Sequence, residues 1–448
     1  MYPRNQEDRI DVSEMNRVDS VASEAALLVG VLSADRPGCG EPLAELEGLA
    51  QTAGTEVVGH LTQRRETPDA ATYLGKGKVE ELKRLVDMTE ADVVIFDNDL
   101  TPAQTRNLEQ SLGVKVLDRT ELILDIFASR ARTHEARLAV ELAQLEYSMP
   151  RLKRMWTHLS RQRKGVGLRG PGEKQLEVDR RLVEKRITDL RAELNAIHSR
   201  RQREVRARRD LMTVSLVGYT NAGKSTLLNA LTGADVHTED ALFATLDTRT
   251  RRWQLPGWGP VLLSDTVGFI RDLPHHLIAS FKATLEEARQ ADLLLHVADA
   301  GNPAVYEQIG AAYKVLEEMG IEAKDTLLVL NKVDALPTRA RLDGLVNRYP
   351  NAVGISARTG YGMASLAAAV SEALSRTFLD VDVETGVENG RLLAYLAAHG
   401  EILSKQYYDS RVVVHCRVPE RYLGRVRDDE AVVRPHQNQA KPEDTRTD

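Results

Sequence analysis

Gly218-Tyr219-Thr220-Asn221-Ala222-Gly223-Lys224-Ser225 is the stretch on which the fold of this chain turns. It fits the pattern G-x-x-x-x-G-K-[ST]. An apolar run, Val214-Ser215-Leu216-Val217, precedes it, and the helix-favouring Ser225-Thr226-Leu227-Leu228-Asn229-Ala230-Leu231 follows. A strand feeding a glycine turn into a helix N-terminus is the setting a phosphate-binding loop needs. The glycines let backbone N–H groups close on phosphate without an obstructing Cβ, and the helix end adds partial positive charge. Lys224 is then placed to reach the β- and γ-phosphates of a nucleotide, and the Ser225 hydroxyl to ligate Mg²⁺. Without that flanking pattern, the same residues would read as an ordinary glycine turn.

Further along the chain, three more segments fall in the order a nucleotide switch requires. Asp265-Thr266-Val267-Gly268 follows Val261-Leu262-Leu263-Ser264; its Asp is expected at Mg²⁺ and its Gly N–H at the γ-phosphate. Asn331-Lys332-Val333-Asp334 follows the apolar run ending at Leu330. A carboxylate at Asp334 can accept from guanine N1–H and the 2-amino group, which adenine lacks in that arrangement, so the expected nucleotide is GTP or GDP. Ser356-Ala357-Arg358 can present the Ala357 N–H to guanine O6. Between loop and Asp265 lies Leu242-Phe243-Ala244-Thr245-Leu246-Asp247-Thr248, where a first switch is expected, with Thr245 closing on Mg²⁺ and the γ-phosphate. Thr248 and Thr250 read as turn residues. Taken singly, each Asp or Asn is more often a turn or cap residue; together the four elements resemble the translation-factor class of P-loop GTPases. The expected catalytic set is Lys224, Thr245 and Gly268, with Ser225 and Thr245 as metal ligands. Phe269 stands where Ras-like enzymes carry a water-orienting Gln, and it has no donor or acceptor to replace it, so slow intrinsic hydrolysis is expected. Asn221 resembles an Asn that recruits K⁺ in related GTPases; shaping the loop is the alternative role.

At 448 residues the chain should form several domains. Residues 1–22 and 428–448 are polar and expected to be disordered. An alternating pattern over 23–132 predicts a small α/β domain, with strands at Ala26–Leu32, Val57–Leu61 and Val93–Asp97 and helices at Pro42–Ala53 and Val79–Met88. Over 133–210 the periodicity changes. Leu138, Leu142, Leu145, Met149, Leu152, Trp156 and Leu159 form a heptad seam, answered by Val183, Ile187, Leu190, Leu194 and Ile197. The Gly-rich stretch Arg163–Gly172 between them predicts an antiparallel hairpin with a flexible basic tip, and Pro150 predicts a kink or break in the first arm. Residues 211–377 should form a doubly wound, mostly parallel sheet carrying the loop, and 378–427 a small C-terminal α/β domain.

Net charge is −6, yet residues 151–210 hold 19 Lys and Arg against 8 Asp and Glu. A basic segment on an acidic chain points to nucleic acid, although charge runs are usually solvated faces. Two cysteines, Cys39 and Cys416, exclude a disulfide framework or zinc-ribbon spacing and read as buried thiols. With no apolar leader and no run of about 18 uncharged apolar residues, a cytoplasmic protein without a membrane span is expected.

Tyr73–Val79, Phe96–Gln104, Val116–Thr120, Leu142–Tyr147 and Gly167–Glu173 extend the match beyond the nucleotide motifs. With them the chain, from about Ala25 to Arg427, closely resembles the HflX family of ribosome-associated GTPases. The resemblance implies a monomeric GTPase that binds the large ribosomal subunit and is stimulated by it, in ribosome splitting or rescue under stress or in biogenesis. It also implies that the hairpin tip, with Arg163, Lys164 and Arg169, meets rRNA near the peptidyl transferase centre. The family's link to ATP suggests an alternative, an RNA-remodelling ATPase acting through the N-terminal domain at Gly75-Lys76-Gly77-Lys78.

Overall fold

The computed structural model describes residues 21–32, 42–155, 171–207, 211–233, 242–243, 249–256, 258–271, 287–318, 320–321, 326–376, 378–419, 422–428 and 431–436. The first layered unit is a four-stranded parallel sheet in the order β2-β1-β3-β4, with β1 Ala25–Leu32, β2 Glu56–Arg64, β3 Val93–Phe96 and β4 Lys115–Asp118. Helices α1 (Ala44–Ala53), α2 (Lys76–Thr89), α3 (Pro102–Leu112) and α4 (Arg119–Arg130) follow their strands, giving the two-faced layering of an α/β unit. All four residues of β3 are buried, as expected for a parallel strand covered on both faces. Thr101 and Gln104 form a reciprocal capping box ahead of Pro102 at the first turn of α3, which fixes where that helix starts.

Helices α5 (His134–Met155) and α6 (Pro171–Ala207) form the two arms. Leu138, Leu142, Leu145, Val183, Ile187, Leu190 and Leu194 are buried in one cluster, with Met149 and Ile197 packed at its margin. The predicted seam therefore closes at these residues; the Leu152 side chain, Trp156, Leu159 and the tip residues Arg163, Lys164 and Arg169 lie outside what is described. Arg186 forks onto Glu141 at 2.7 and 2.8 Å and Arg191 onto Glu146 at 2.7 and 3.1 Å, cross-linking the arms.

Two expectations are corrected here. The first arm runs through Pro150 as one helix, which corrects the expectation of a break there. Proline removes one backbone hydrogen bond, but the next residue is firmly held: the Arg151 guanidinium lies 3.5 Å over the Tyr147 ring and donates to Asp118 at 2.9 Å and the Leu100 carbonyl at 3.0 Å. At the other end of the tip, Pro171 and Gly172 begin α6 instead of belonging to the turn. Proline in the first turn of a helix is favourable, because the N–H it lacks has no intrahelical partner there.

The second layered unit is a six-stranded sheet in the order β10-β9-β8-β5-β7-β6, parallel except for the β6–β7 pair. Its strands are β5 Thr213–Gly218, β6 Arg249–Leu255, β7 Gly259–Asp265, β8 Leu293–Asp299, β9 Thr326–Asn331 and β10 Val353–Gly354. Helices α7 (Lys224–Thr232), α8 (Val305–Glu318), α9 (Arg339–Arg348) and α10 (Met363–Ser375) connect them. From central β5 the chain goes to β7 on one side and β8 on the other, so a crevice opens at the carboxyl end of β5.

The last unit is an antiparallel sheet ordered β12-β13-β11-β14, from β11 Phe378–Gly386, β12 Glu401–Tyr408, β13 Arg411–Pro419 and β14 Val432–Pro435, with α11 (Gly390–His399) and the short α12 (Leu423–Asp428). β14 corrects the expectation of a disordered tail from residue 428: Val432 and Val433 pair with Glu384 and Val383 at the open edge of β11. The sequence signal was faint because the pairing partner is some fifty residues away. Cys416 is a buried free thiol pushed up to about 12 by burial, and Cys39 lies outside the described residues.

Candidate nucleotide site

Gly218-Tyr219-Thr220-Asn221-Ala222-Gly223 links β5 to α7 at the switch point of the six-stranded sheet. Both glycines are obligatory there. Gly218 has φ 141°, and a Cβ would stand 2.1 Å from the Val297 carbonyl oxygen. Gly223 has φ 89°, and its Cβ would meet Asn331 Nδ2 at 2.4 Å. Asn221 is exposed with φ 58°, a left-handed geometry that Asn tolerates best among ordinary side chains, so the loop-shaping role is visible in the backbone.

Lys224 opens α7 and folds back, Nζ donating to the carbonyls of Gly218 at 3.1 Å and Tyr219 at 2.8 Å. It therefore spans the loop from inside and stiffens it. Burial pushes its pKa down to about 8, against the pull of Asp265. Ser225 Oγ lies 2.5 Å from Asp265 Oδ2, bringing together a hydroxyl and a carboxylate drawn from loop and strand end. An all-oxygen pair of this kind fits a hard cation such as Mg²⁺. Thr266 is fully buried and donates to the Leu216 carbonyl at 2.6 Å, so its hydroxyl ties β7 to β5.

Gly268 is the closest point of this segment to the loop: a Cβ there would come 2.7 Å from Thr220 Cα and 3.0 Å from Lys224 Nζ. Phe269 then pairs with the loop as a short parallel bridge, its N donating to the Gly218 carbonyl at 2.9 Å and its carbonyl accepting from Thr220 N at 2.7 Å. The Phe269 ring is 3% exposed, so it supplies packing and no water-orienting group. Val267 is buried beside it.

The base-recognition loops converge on the same end of the sheet. Asn331 closes β9, donates from Nδ2 to the Ala222 carbonyl at 2.9 Å, and accepts the Ala357 N–H on Oδ1 at 3.0 Å. One amide thus ties the phosphate loop to the Ser356 loop, and any contact of Ala357 N–H with guanine O6 has to share that proton. Lys332 has φ 61° and pairs with Asp299 at 2.8 Å, its Cε 4.0 Å from where a Gly223 Cβ would be. Val333 and Asp334 lie on a 3₁₀ turn, with Asp334 exposed. Ser356 closes a tight turn, its Oγ accepting from Thr359 N at 3.1 Å, and Arg358 is exposed.

Ala244, Thr245, Leu246, Asp247 and Thr248 lie outside the described residues. Leu242 and Phe243 are described and pack against the N-terminal unit. Leu242 N donates to Thr52 Oγ1 at 3.3 Å, and Phe243 packs edge-on against Phe127, ring centroids 4.6 Å apart. Phe243, expected at the nucleotide, packs its ring in a core shared with α1 and α4 and with Tyr219 and Phe269.

Sequence reading missed the residues behind the loop. The Tyr219 hydroxyl donates to Glu45 at 2.9 Å and accepts from Arg271 N at 2.6 Å. Arg119 bridges Glu45 at 2.7 Å and Asp97 at 2.6 Å, and Arg271 reaches Asp97 at 2.9 Å. Burial works against the Arg119 charge, but Glu45 and Asp97 more than offset it and hold the guanidinium protonated. Asp97 and Arg119 directly follow the apolar strands β3 and β4 and lie in the matched segments Phe96–Gln104 and Val116–Thr120, but neither signal showed that they meet Glu45 and Arg271. His296 is also buried, on β8 below Lys224; burial and the Lys224 charge push it down to about 4.

A glycine loop gripping its own lysine, an acidic residue ending the neighbouring strand and an Asn–Asp turn ending β9 define a P-loop GTPase. Three family models match in succession between residues 40 and 332: "GTP-binding GTPase N-terminal" over residues 40–128, "GTP-binding GTPase Middle Region" over 130–209 and "50S ribosome-binding GTPase" over 213–332. The chain is 49% identical over 374 residues to the GTPase HflX of Escherichia coli (strain K12), covering 83% of this chain and 88% of that one. It belongs to the HflX family of GTPases and hydrolyses GTP. The HflX of Magnetococcus marinus is 46% identical over 412 residues, 90% of this chain and 95% of its own. Among solved structures, a GTP-binding protein from the archaeon Sulfolobus solfataricus in complex with GDP is 24% identical, spans 79% of this chain and 99% of its own, and has a TM-score of 0.42. Among the described residues no helix is long and apolar enough to cross a membrane.

Proposed function

We propose that the protein is a Mg·GTP switch that binds the large ribosomal subunit, with the hairpin as the arm that reaches rRNA. The observation that carries this reading is the pair of packed helices α5 and α6, sealed by an apolar seam and continuous with the unit that touches the nucleotide loop. At 1.5 Å per residue, 22 residues of α5 give an arm of about 33 Å, and 37 residues of α6 give about 55 Å. A stiff arm of that length with a basic, glycine-rich end suits a narrow RNA-lined site better than a globular face does. Backbone phosphates would be met by Arg163, Lys164 and Arg169.

At the nucleotide, Ser225, Asp265 (usually through water) and Thr245 would hold Mg²⁺, which supplies charge neutralisation at the β- and γ-phosphates. Lys224 holds those phosphates, Gly268 N–H meets the γ-phosphate, and Asp334 selects guanine. With the Phe269 ring buried, hydrolysis is slow until the ribosome supplies order or charge, and K⁺ beside Asn221 is one source of charge. The protein acts as a monomer, in subunit splitting or rescue or in biogenesis. No comparable support attaches to an ATPase at Gly75–Lys78, because Lys76 to Lys78 form the first turn of α2 and Lys78 pairs with Glu81 at 2.8 Å.

The test is the GTPase rate with and without large subunits, for the wild type and a variant lacking Gly165–Gly172. Stimulation of the wild type and its loss in the variant is the expected result; equal stimulation of both removes the hairpin tip from the mechanism.

A further inference from the structure

The outer face of the C-terminal sheet carries a cluster that the nucleotide chemistry does not use. Along β11, Val381 and Val383 point into the core, which puts Asp380, Asp382 and Glu384 on the opposite face. On β13, Val412, Val414, Cys416 and Val418 are inward, so His415 shares that outer face, directly opposite Asp382 in the register. His436 follows β14 on the other side of β11, its N donating to the Asp380 carbonyl at 3.0 Å.

β13 and β14 are separated by β11, so their backbones run roughly 9–10 Å apart. Even so, the two imidazoles lean over β11 from both sides and stack, centroids 3.6 Å apart and planes 13° from parallel. Asp380 lies 2.6 Å from His415 Nε2, and Asp382 lies 2.9 Å from His436 Nδ1. Carboxylates only accept, so a hydrogen bond at either nitrogen needs a proton there; a cation held between Asp382 and His436 would replace the proton on Nδ1, and His415, held by Asp380 at Nε2, would offer Nδ1.

We propose that Asp382, His415 and His436 form a binding site for a transition-series divalent cation such as Zn²⁺, with Asp380 orienting the His415 ring. One ligand atom from each of the three lies within 4.8 Å of the others. A four-coordinate ion with bonds of about 2.0–2.2 Å sets its ligands roughly 3.3–3.5 Å apart, so closure takes a shift of at most about 1.5 Å, within reach of side-chain rotation. The side chains are 20–30% exposed, open enough for an ion and a fourth, water ligand to enter. Two imidazoles and one carboxylate favour Zn²⁺, Co²⁺, Ni²⁺ or Cu²⁺ over Mg²⁺, so the site does not compete for the nucleotide's cation. Asp380 beside His415 repeats the carboxylate–histidine–metal arrangement that fixes a ligand's tautomer. The nearby cations are engaged: Arg417 faces Asp380 and Glu401, and Arg411 and Arg434 face Glu384.

The test titrates Co²⁺ into metal-stripped, nucleotide-free full-length protein and follows the visible ligand-field bands. Expected are bands saturating at one equivalent, displaced by Zn²⁺ and indifferent to millimolar Mg²⁺. His415→Ala and His436→Gln should each lose the bands, and Asp380→Asn should weaken binding about tenfold. Zn²⁺ should raise the melting temperature of the wild type and not of these variants. Unchanged GTP hydrolysis in the variants shows that they are folded. Absence of a saturable band in the wild type overturns the proposal, and so does absorption that saturates only at several equivalents and survives both His variants.

Discussion

Lys224 is a charge stored inside the protein before any phosphate arrives. Its desolvation is met by two loop carbonyls and by Asp265, and together they leave its pKa at about 8. A bound triphosphate would add several negative charges and drive that pKa up, so binding has to take up a proton wherever free Lys224 is partly neutral. The expected outcome is net proton uptake on GTP binding at pH 8.5, measured by calorimetry in buffers of different ionisation enthalpy. It should vanish near pH 6.5, where Lys224 is already charged, and be absent at both in Lys224→Met. His296 titrates with the opposite consequence. Its folded pKa, about 4, lies below the ordinary 6.5, so the unfolded chain binds the extra proton first as pH falls. Stability from neutral His296 is complete above about pH 6.5 and is lost progressively down to about pH 4, amounting to roughly 3 kcal/mol. Urea melts should show a shallower loss over that window for His296→Leu than for the wild type; parallel pH profiles would mean that the imidazole does not titrate as placed.

The two arms are held by a narrow seam, so single residues matter. Leu190 is fully buried between α5 and α6, and Leu190→Ala should cost about 2–5 kcal/mol, read as arm separation by faster amide exchange in Ala139–Leu145 and Val183–Leu194. Glu141→Gln, at the exposed Arg186 pair, should cost under about 1 kcal/mol. This contrast also explains what was readable in the chain. A 3–4 spacing of leucines is a local pattern with one physical meaning, and so is a glycine loop between a strand and a helix. The seam, the loop, Asp265 and the Asn331–Asp334 turn were all legible for that reason. Whether the helix continues past Pro150 was not legible, because the residue after it, Arg151, meets Asp118 and Leu100 from another part of the chain. β14 was invisible because a four-residue strand declares itself only through its partner. The packing of Phe243 on Phe127 was not legible in its motif, because Phe127 comes from another unit of the chain.

At the scale of the molecule, the carboxyl ends of the parallel strands of the first two sheets meet around Tyr219. Glu45, Asp97 and Arg119 come from the first sheet's end, and Tyr219 and Arg271 from the second's, with Phe127, Phe243 and Phe269 in the apolar core around them. The hydroxyl of a phosphate-loop residue and a guanidinium of the N-terminal unit share one oxygen, Glu45 Oε1. Removing the guanidinium leaves two carboxylates short of a counter-charge in a poorly solvated place, so Arg119→Ala should cost about 3–5 kcal/mol. Tyr219→Phe removes only a hydroxyl and should cost about 1–2 kcal/mol. If the shared oxygen couples the two units, the costs will not add: with Arg119 gone, Glu45 is free to turn toward water and the Tyr219 hydroxyl has less to lose. The double variant should then be less destabilised than the sum by about 0.5–3 kcal/mol, measured by urea melts of all four proteins. Glu45→Gln, which keeps an acceptor but not the charge, should reduce that coupling. Additivity within about 0.3 kcal/mol would show that the N-terminal unit and the phosphate loop touch without sensing each other.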